Sequence, residues 1–149
     1  LIEYMKTNGI KYGILGRGSN VLAADEGFDG VILLFGSDFS QIEVKGNTIR
    51  CDAGASLASA CVHAQQNGLS GMENLFGIPG AVGGALYMNA GAYGSEMKDV
   101  VISAEYIDEN CRIRSISAKD MELSYRHSVF SGTSNVITSV TMLLRSRLV

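Results

Sequence analysis

A chain of 149 residues with 46% hydrophobic and 18% charged residues can bury one core or two small ones. Its formal net charge is −3 and its lysines and arginines form no cluster, which excludes the basic footprint of a nucleic-acid-binding protein. The longest apolar run, Val31 to Phe35, is too short to span a membrane, and three scattered cysteines (Cys51, Cys61, Cys111) read as reduced thiols of a cytosolic protein.

Leu1, Ile2 and Met5 have helical spacing, and Asn8-Gly9 supplies a stop. Opening inside a helix, the sequence is expected to continue upstream of Leu1. Tyr12 to Leu15 reads as a short strand entering the loop Gly16-Arg-Gly-Ser-Asn20. Val21 to Ala23 is expected to run extended, and Val31–Phe35 to form a buried strand. Ile42–Lys45 and Thr48–Cys51 flank Gly46-Asn47 as a β-hairpin. A subdomain boundary is expected there, with residues 1–45 on one side and 46–149 on the other. Ser56 suits the N-cap of a helix burying Leu57, Ala60, Cys61 and Ala64, with Gly68 beyond its end. A helical turn is expected over Met72 to Phe76.

The stretch from Gly77 to Gly94 holds the chain's only proline, Pro79, and dense glycines among apolar residues. It reads as a long, tightly folded loop packed on a core, stiffened where Pro79 fixes φ. Val100, Ile102, Ala104 and Tyr106 then alternate along one face of a strand, and Arg112 to Ile116 returns beside it. Ser117 and Asp120 suit a capped helical turn, and Asn135 to Leu144 is the last and longest strand. These elements define an α+β chain, a small α/β part followed by a mainly antiparallel sheet with flanking helices.

Several familiar motifs are absent. Val21 stands where the third glycine of G-x-G-x-x-G would follow Gly16-Arg-Gly18, so no Rossmann fingerprint is present. There is no P-loop, no nucleophile elbow and no His/Cys spacing suited to zinc. From its residues alone, Gly16–Asn20 is either a plain turn or a set of backbone donors for a phosphate. Arg126 is either a surface arginine paired with a carboxylate or an anion-binding group.

Three motifs in order carry a family resemblance. Gly77-Ile-Pro-Gly-Ala-Val-Gly-Gly-Ala with Asn89-Ala-Gly-Ala-Tyr-Gly94, Leu15-Gly-Arg-Gly-Ser-Asn-Val-Leu22, and Ser124-Tyr-Arg-His-Ser-Val-Phe130 together resemble the UDP-N-acetylenolpyruvoylglucosamine reductase (MurB) family. The resemblance implies the FAD-binding fold of the vanillyl-alcohol-oxidase type, with FAD and NADPH as cofactors and UDP-N-acetylglucosamine enolpyruvate as the small-molecule substrate. It assigns cofactor binding to Gly16, Arg17, Gly18, Ser19 and Asn20, and to Ile78, Pro79, Gly80, Ala81, Val82, Gly83 and Gly84. Asn89, Ala90, Gly91, Ala92 and Tyr93 complete that set nearer the isoalloxazine. Arg126 becomes the catalytic cation that binds the substrate carboxylate and stabilises the enolate formed after hydride transfer.

The resemblance implies a cytoplasmic enzyme of peptidoglycan synthesis, with neither nucleic acid nor membrane as partner; oligomeric state is not legible. The family's proton donor belongs to a C-terminal substrate domain whose motif is not found after Phe130, so the chain alone is expected to be inactive. Another FAD-dependent oxidoreductase of the same superfamily, or a cofactor-free glycine-rich module, are the competing readings.

Overall fold

A computed structural model describes residues 1–147. Helix α1 (Ile2–Thr7) buries Met5 and ends at Asn8, with Gly9 at φ +64. Strand β1 (Tyr12–Leu15) pairs in parallel with β2 (Val31–Leu34), Tyr12 opposite Val31. The expected burial of the second strand is not found, because Val31, Ile32 and Leu34 are exposed. Among the described residues β2 has β1 as its single strand partner, so it is an edge and not a sheet interior. Val21 to Ala23 is exposed and belongs to no strand. Phe35 does turn inward, against Phe39, with ring centroids 4.9 Å apart.

The hairpin about Gly46-Asn47 forms as read, β3 (Ile42–Lys45) pairing with β4 (Thr48–Asp52). Both strands lie in one sheet, so the division between sheets falls between β2 and β3, ahead of the expected boundary at residue 46. Helix α2 (Leu57–Gln66) starts at Ser56, whose Oγ accepts from the Ser59 N–H at 3.4 Å, and it buries the four predicted positions. Strand β5 (Leu69–Ser70) and a 3-10 turn (Glu73–Leu75) follow.

The glycine-rich stretch differs most from expectation. Residues 82–87 form a helix, α3 (Val82–Tyr87), although its sequence has a poor helix propensity with two adjacent glycines. Tertiary bonds supply what propensity lacks. The Val82 N–H donates to the Ala55 carbonyl at 2.8 Å, Gly83 N–H to Ala53 at 2.9 Å, and Leu57 N–H to Gly80 at 2.9 Å. A Cβ on Gly83 would stand 2.7 Å from that of Ala53, so only glycine lets α3 sit this close to the β4–α2 corner.

A small hairpin follows, β6 (Gly91–Ala92) with β7 (Ser95–Glu96), and then β8 (Val101–Ile107) and β9 (Ile113–Ser117). After a 3-10 turn (Ala118–Asp120) come β10 (Val136–Leu143) and β11 (Arg145–Ser146), the latter paired with β5. The large sheet is antiparallel in the order β3-β4-β10-β8-β9. The expected alternation along β8 breaks at Ile102, which is 39% exposed while Val101 is buried. Thr141 pairs with Ser103 and Met142 with Val101, so Ile102 is the extra residue of a β-bulge. Ile49, Cys51, Ala104, Val140 and Met142 from the sheet join α2 and α3 in one core.

Gly83→Val should lower the free energy of unfolding by about 1–3 kcal/mol through overpacking at the corner. Gly84→Ala, where an added Cβ meets nothing within 4 Å, should be neutral or stabilising by up to about 1 kcal/mol. Urea denaturation of the FAD-free protein compares the two; equal midpoints would show that the corner does not hold α3.

Candidate functional site

A cavity of about 1370 Å³ separates the β1 loop from α3 and β10. It is larger than the roughly 300–1,000 Å³ of sites for drug-sized ligands and suits a dinucleotide. The two glycine segments meet at its wall. A Cβ on Gly16 would lie 3.0 Å from that of Ala81, and one on Gly80 would lie 3.7 Å from Ser19 Oγ.

The backbone donors are unevenly distributed. Gly80, Val82 and Gly83 amides already donate to the carbonyls of Ile78, Ala55 and Ala53 at 2.8–2.9 Å. Among the described residues, no acceptor takes a hydrogen bond from the amides of Gly16, Arg17, Gly18, Ser19, Asn20 or Gly84. Gly84 is exposed to the cavity, and open space lies where its Cβ would be. Six uncommitted N–H groups therefore line a concave wall, an arrangement suited to phosphate oxygens. The Tyr12 hydroxyl, also at the wall, is buried with no hydrogen-bond partner among the described residues.

Charge reinforces this. Lys6, Lys11, Arg17 and Arg126 line the cavity against one carboxylate, Glu96, which is itself paired with Lys98. Of these cations only Arg17 belongs to a glycine motif; Lys6, Lys11 and Arg126 are brought near the glycine loops by the fold. Lys6 reaches further, its Nζ donating to the Glu109 carbonyl at 2.7 Å.

Of the eighteen residues assigned from sequence, sixteen line the cavity, and Val82 and Tyr93 do not. Val82 packs wholly inside the core as the first residue of α3. Tyr93, at φ +51, turns the small hairpin and is 87% exposed. Gly83 lines the cavity through its backbone, but its missing side chain serves the Ala53 contact. Gly91 likewise admits its own hairpin, a Cβ there falling 2.6 Å from the Ser95 carbonyl oxygen. Asn89 is buried at the wall and its side chain is bonded to protein at both ends.

Arg126 stands at the tip of a tight turn, φ +51, in which Ser124 and His127 exchange hydrogen bonds of 3.2 Å. Its Nη2 donates to Asn20 Oδ1 at 3.2 Å, spanning the cavity to the first glycine loop. Among the described residues it forms no ion pair, which disfavours the reading as a carboxylate-paired surface arginine. Two other residues of its motif, Ser128 and Phe130, pack into the fold. Ser128 Oγ donates to the Tyr87 carbonyl at 2.7 Å, and Phe130 packs edge-on against Tyr106, with centroids 5.3 Å apart. Sequence reasoning missed Thr133, Ser134 and Asn135, just ahead of β10, and Ile137 within it, all of which line the cavity; the polar run Thr133–Asn135 is the only signal they carry.

The thiols stand apart from this chemistry. Burial pushes Cys51 up to about 12 and Cys61 up to about 11. Among the described residues no group of three His, Cys, Asp or Glu side chains could hold a metal, and no helix is long and apolar enough to cross a membrane.

A family model described as an FAD binding domain matches residues 1–117. The chain belongs to this family. Similar curated relatives include the UDP-N-acetylenolpyruvoylglucosamine reductase of Lactobacillus helveticus, 40% identical over 97% of this chain and 48% of the relative. That of Clostridium perfringens is 42% identical over 92% and 45%. The chain thus spans about half the length of the relatives it matches. Among solved structures, the Thermus caldophilus UDP-N-acetylenolpyruvylglucosamine reductase (MurB) superposes with a TM-score of 0.84 at 33% identity, covering 99% of this chain and 53% of that one. The 6-hydroxy-D-nicotine oxidase of Arthrobacter nicotinovorans, 19% identical with a TM-score of 0.73, covers 97% of this chain and 33% of that one and shares the fold. The α+β architecture is that of FAD-binding proteins of the vanillyl-alcohol-oxidase type.

A thiol reagent at pH 8 should modify Cys111, which is partly exposed, and reach Cys51 and Cys61 only on unfolding. Because the two buried thiols hold their protons more tightly folded than unfolded, stability should fall as pH rises through about 8.5, the unfolded value, toward 11. A urea midpoint that does not decrease across that window would refute the burial assigned to them.

Proposed function

We propose that this chain is the FAD-binding part of an NADPH-dependent cytoplasmic reductase that converts UDP-N-acetylglucosamine enolpyruvate to UDP-N-acetylmuramate for peptidoglycan. The observation that carries this reading is the placement of Arg126 across one cavity from the uncommitted amides of Gly16–Asn20, with a single hydrogen bond to Asn20 joining them. A cofactor-free module has no use for both at once, and the similarity to the UDP-N-acetylenolpyruvoylglucosamine reductases favours a reductase over an oxidase.

The residues fit FAD. The amides of Gly16–Asn20 and Gly84 would hold its diphosphate, with Lys6, Lys11 and Arg17 adding positive charge around them. Pro79 would stiffen the opposing loop, and Ile78, Ala90 and Ala92 would offer apolar wall. Among the described residues no histidine or cysteine lines the cavity, which supports non-covalent binding. Bound FAD supplies hydride acceptance from NADPH and hydride donation to the enolpyruvyl carbon.

The chain's own contribution to the chemistry is Arg126. A planar guanidinium can hold the substrate carboxylate through two parallel hydrogen bonds. Negative charge spreads onto that carboxylate as the enolate forms, so the same contact strengthens in the transition state.

Gly84→Val should raise the dissociation constant for FAD by tenfold or more, since its side chain would fill the space a phosphate oxygen needs to reach the Gly84 amide, and a hydrogen bond to a charged group contributes about 1.5–3 kcal/mol. Stability should change little, because the added atoms point into the cavity. Arg126→Ala, in the full-length enzyme, should slow hydride delivery to the enolpyruvyl substrate by about 10²–10³ while sparing reduction by NADPH. Arg126→Lys should recover only part of the loss. Rapid-mixing measurements of each half-reaction test this; equal slowing of both would make Arg126 structural.

A further inference from the structure

Asn89 lies in the glycine-rich stretch among residues that line the cavity, yet its carboxamide is turned into the protein. It is 2% exposed, its Nδ2 donates to the Ser124 carbonyl at 2.9 Å, and its Oδ1 accepts from the Lys98 N–H at 2.9 Å. Its φ of +43 is one that asparagine tolerates better than most residues. A buried carboxamide satisfied at both ends acts as a clip, because releasing either end would leave a polar group desolvated and unpaired.

The clip closes on one particular element. Ser124 opens the turn that displays Tyr125 and Arg126, both exposed, so apart from the hydrogen bond from Arg126 to Asn20 little at the tip itself orients it. The Ser124 carbonyl accepts twice, from His127 within the turn and from Asn89 outside it. On the other leg, Ser128 is bonded to the Tyr87 carbonyl. Both anchors therefore sit at the C-terminal end of α3, while Gly84 in the same helix faces the cavity. A small rotation at the base of this turn becomes a large displacement at the end of a long arginine side chain.

We propose that Asn89 is a positioning residue for Arg126, holding the base of its turn so that the guanidinium faces the cavity. The proposal rests on the reading of Arg126 as the carboxylate-binding group.

The test uses the full-length flavoprotein and two variants, Asn89→Asp, which removes the donor to Ser124, and Asn89→Gly, which removes both bonds and tolerates the positive φ. Binding of UDP-N-acetylglucosamine enolpyruvate to the oxidised protein is followed by the visible flavin spectrum, alone and in combination with Arg126→Ala. Both variants should keep their FAD and bind the enolpyruvyl ligand about 10- to 100-fold more weakly. Added to Arg126→Ala, they should weaken binding no further, since a residue acting only through Arg126 has nothing left to position. Additive effects, or full affinity in both variants while Arg126→Ala binds weakly, would overturn the proposal and leave the reading of Arg126 intact. Unchanged affinity in Arg126→Ala itself would remove that reading and the proposal together. Loss of FAD or of folded protein in both variants would assign Asn89 to the fold and also overturn it.

Discussion

The close approach of α3 to the corner between β4 and α2 is the constraint on which the site depends. Gly83 admits the contact, and the bonds from Val82 and Gly83 to Ala55 and Ala53 fix its register. These bonds consume the amides that a helix N-terminus would otherwise present to an anion. The uncommitted amides lie one residue on, at Gly84, and across the cavity at Gly16–Asn20. One glycine thus makes the helix possible while its neighbour leaves the ligand room. Chemically identical and adjacent in sequence, they have different duties because successive helical residues face about 100° apart.

Much of the fold was legible. Ser56, the spacing of Leu57, Ala60, Cys61 and Ala64, and Gly68 define α2 at both ends, and Gly46-Asn47 marks its hairpin. Local signals are strong where capping and periodicity agree. What escaped is what tertiary structure decides. Helix α3 is invisible to propensity because its stability comes from bonds to a corner some thirty residues earlier. The bulge at Ile102 shifts the phase of an alternation that looked continuous. Val31, Ile32 and Leu34 read as interior because apolar runs usually are, while pairing with a single neighbour leaves them at an edge.

The site shows the same division. Its glycine loops stand out in sequence, but its charge does not. Lys6 belongs to α1 and Lys11 directly precedes β1, and nothing local connects them with Arg126. Asn89 misleads in the opposite sense: a polar residue among glycines suggests a ligand contact, whereas both of its ends are satisfied by backbone. Burial and pairing separate a residue that touches a ligand from one that holds another residue in place, and a sequence shows neither.

Helix α3 lines the cavity at Gly84, and the two attachments of the arginine turn come at its last residue, Tyr87, and just past its end at Asn89. It is therefore a spacer between two chemical groups, and a helical spacer is quantised. Adding or removing one residue would translate everything beyond it by about 1.5 Å and rotate it by about 100°, carrying Asn89 out of reach of Ser124. The separation between the Gly84 amide and the arginine turn is thus fixed by helical geometry, so this segment should admit side-chain substitution far more readily than any change in length.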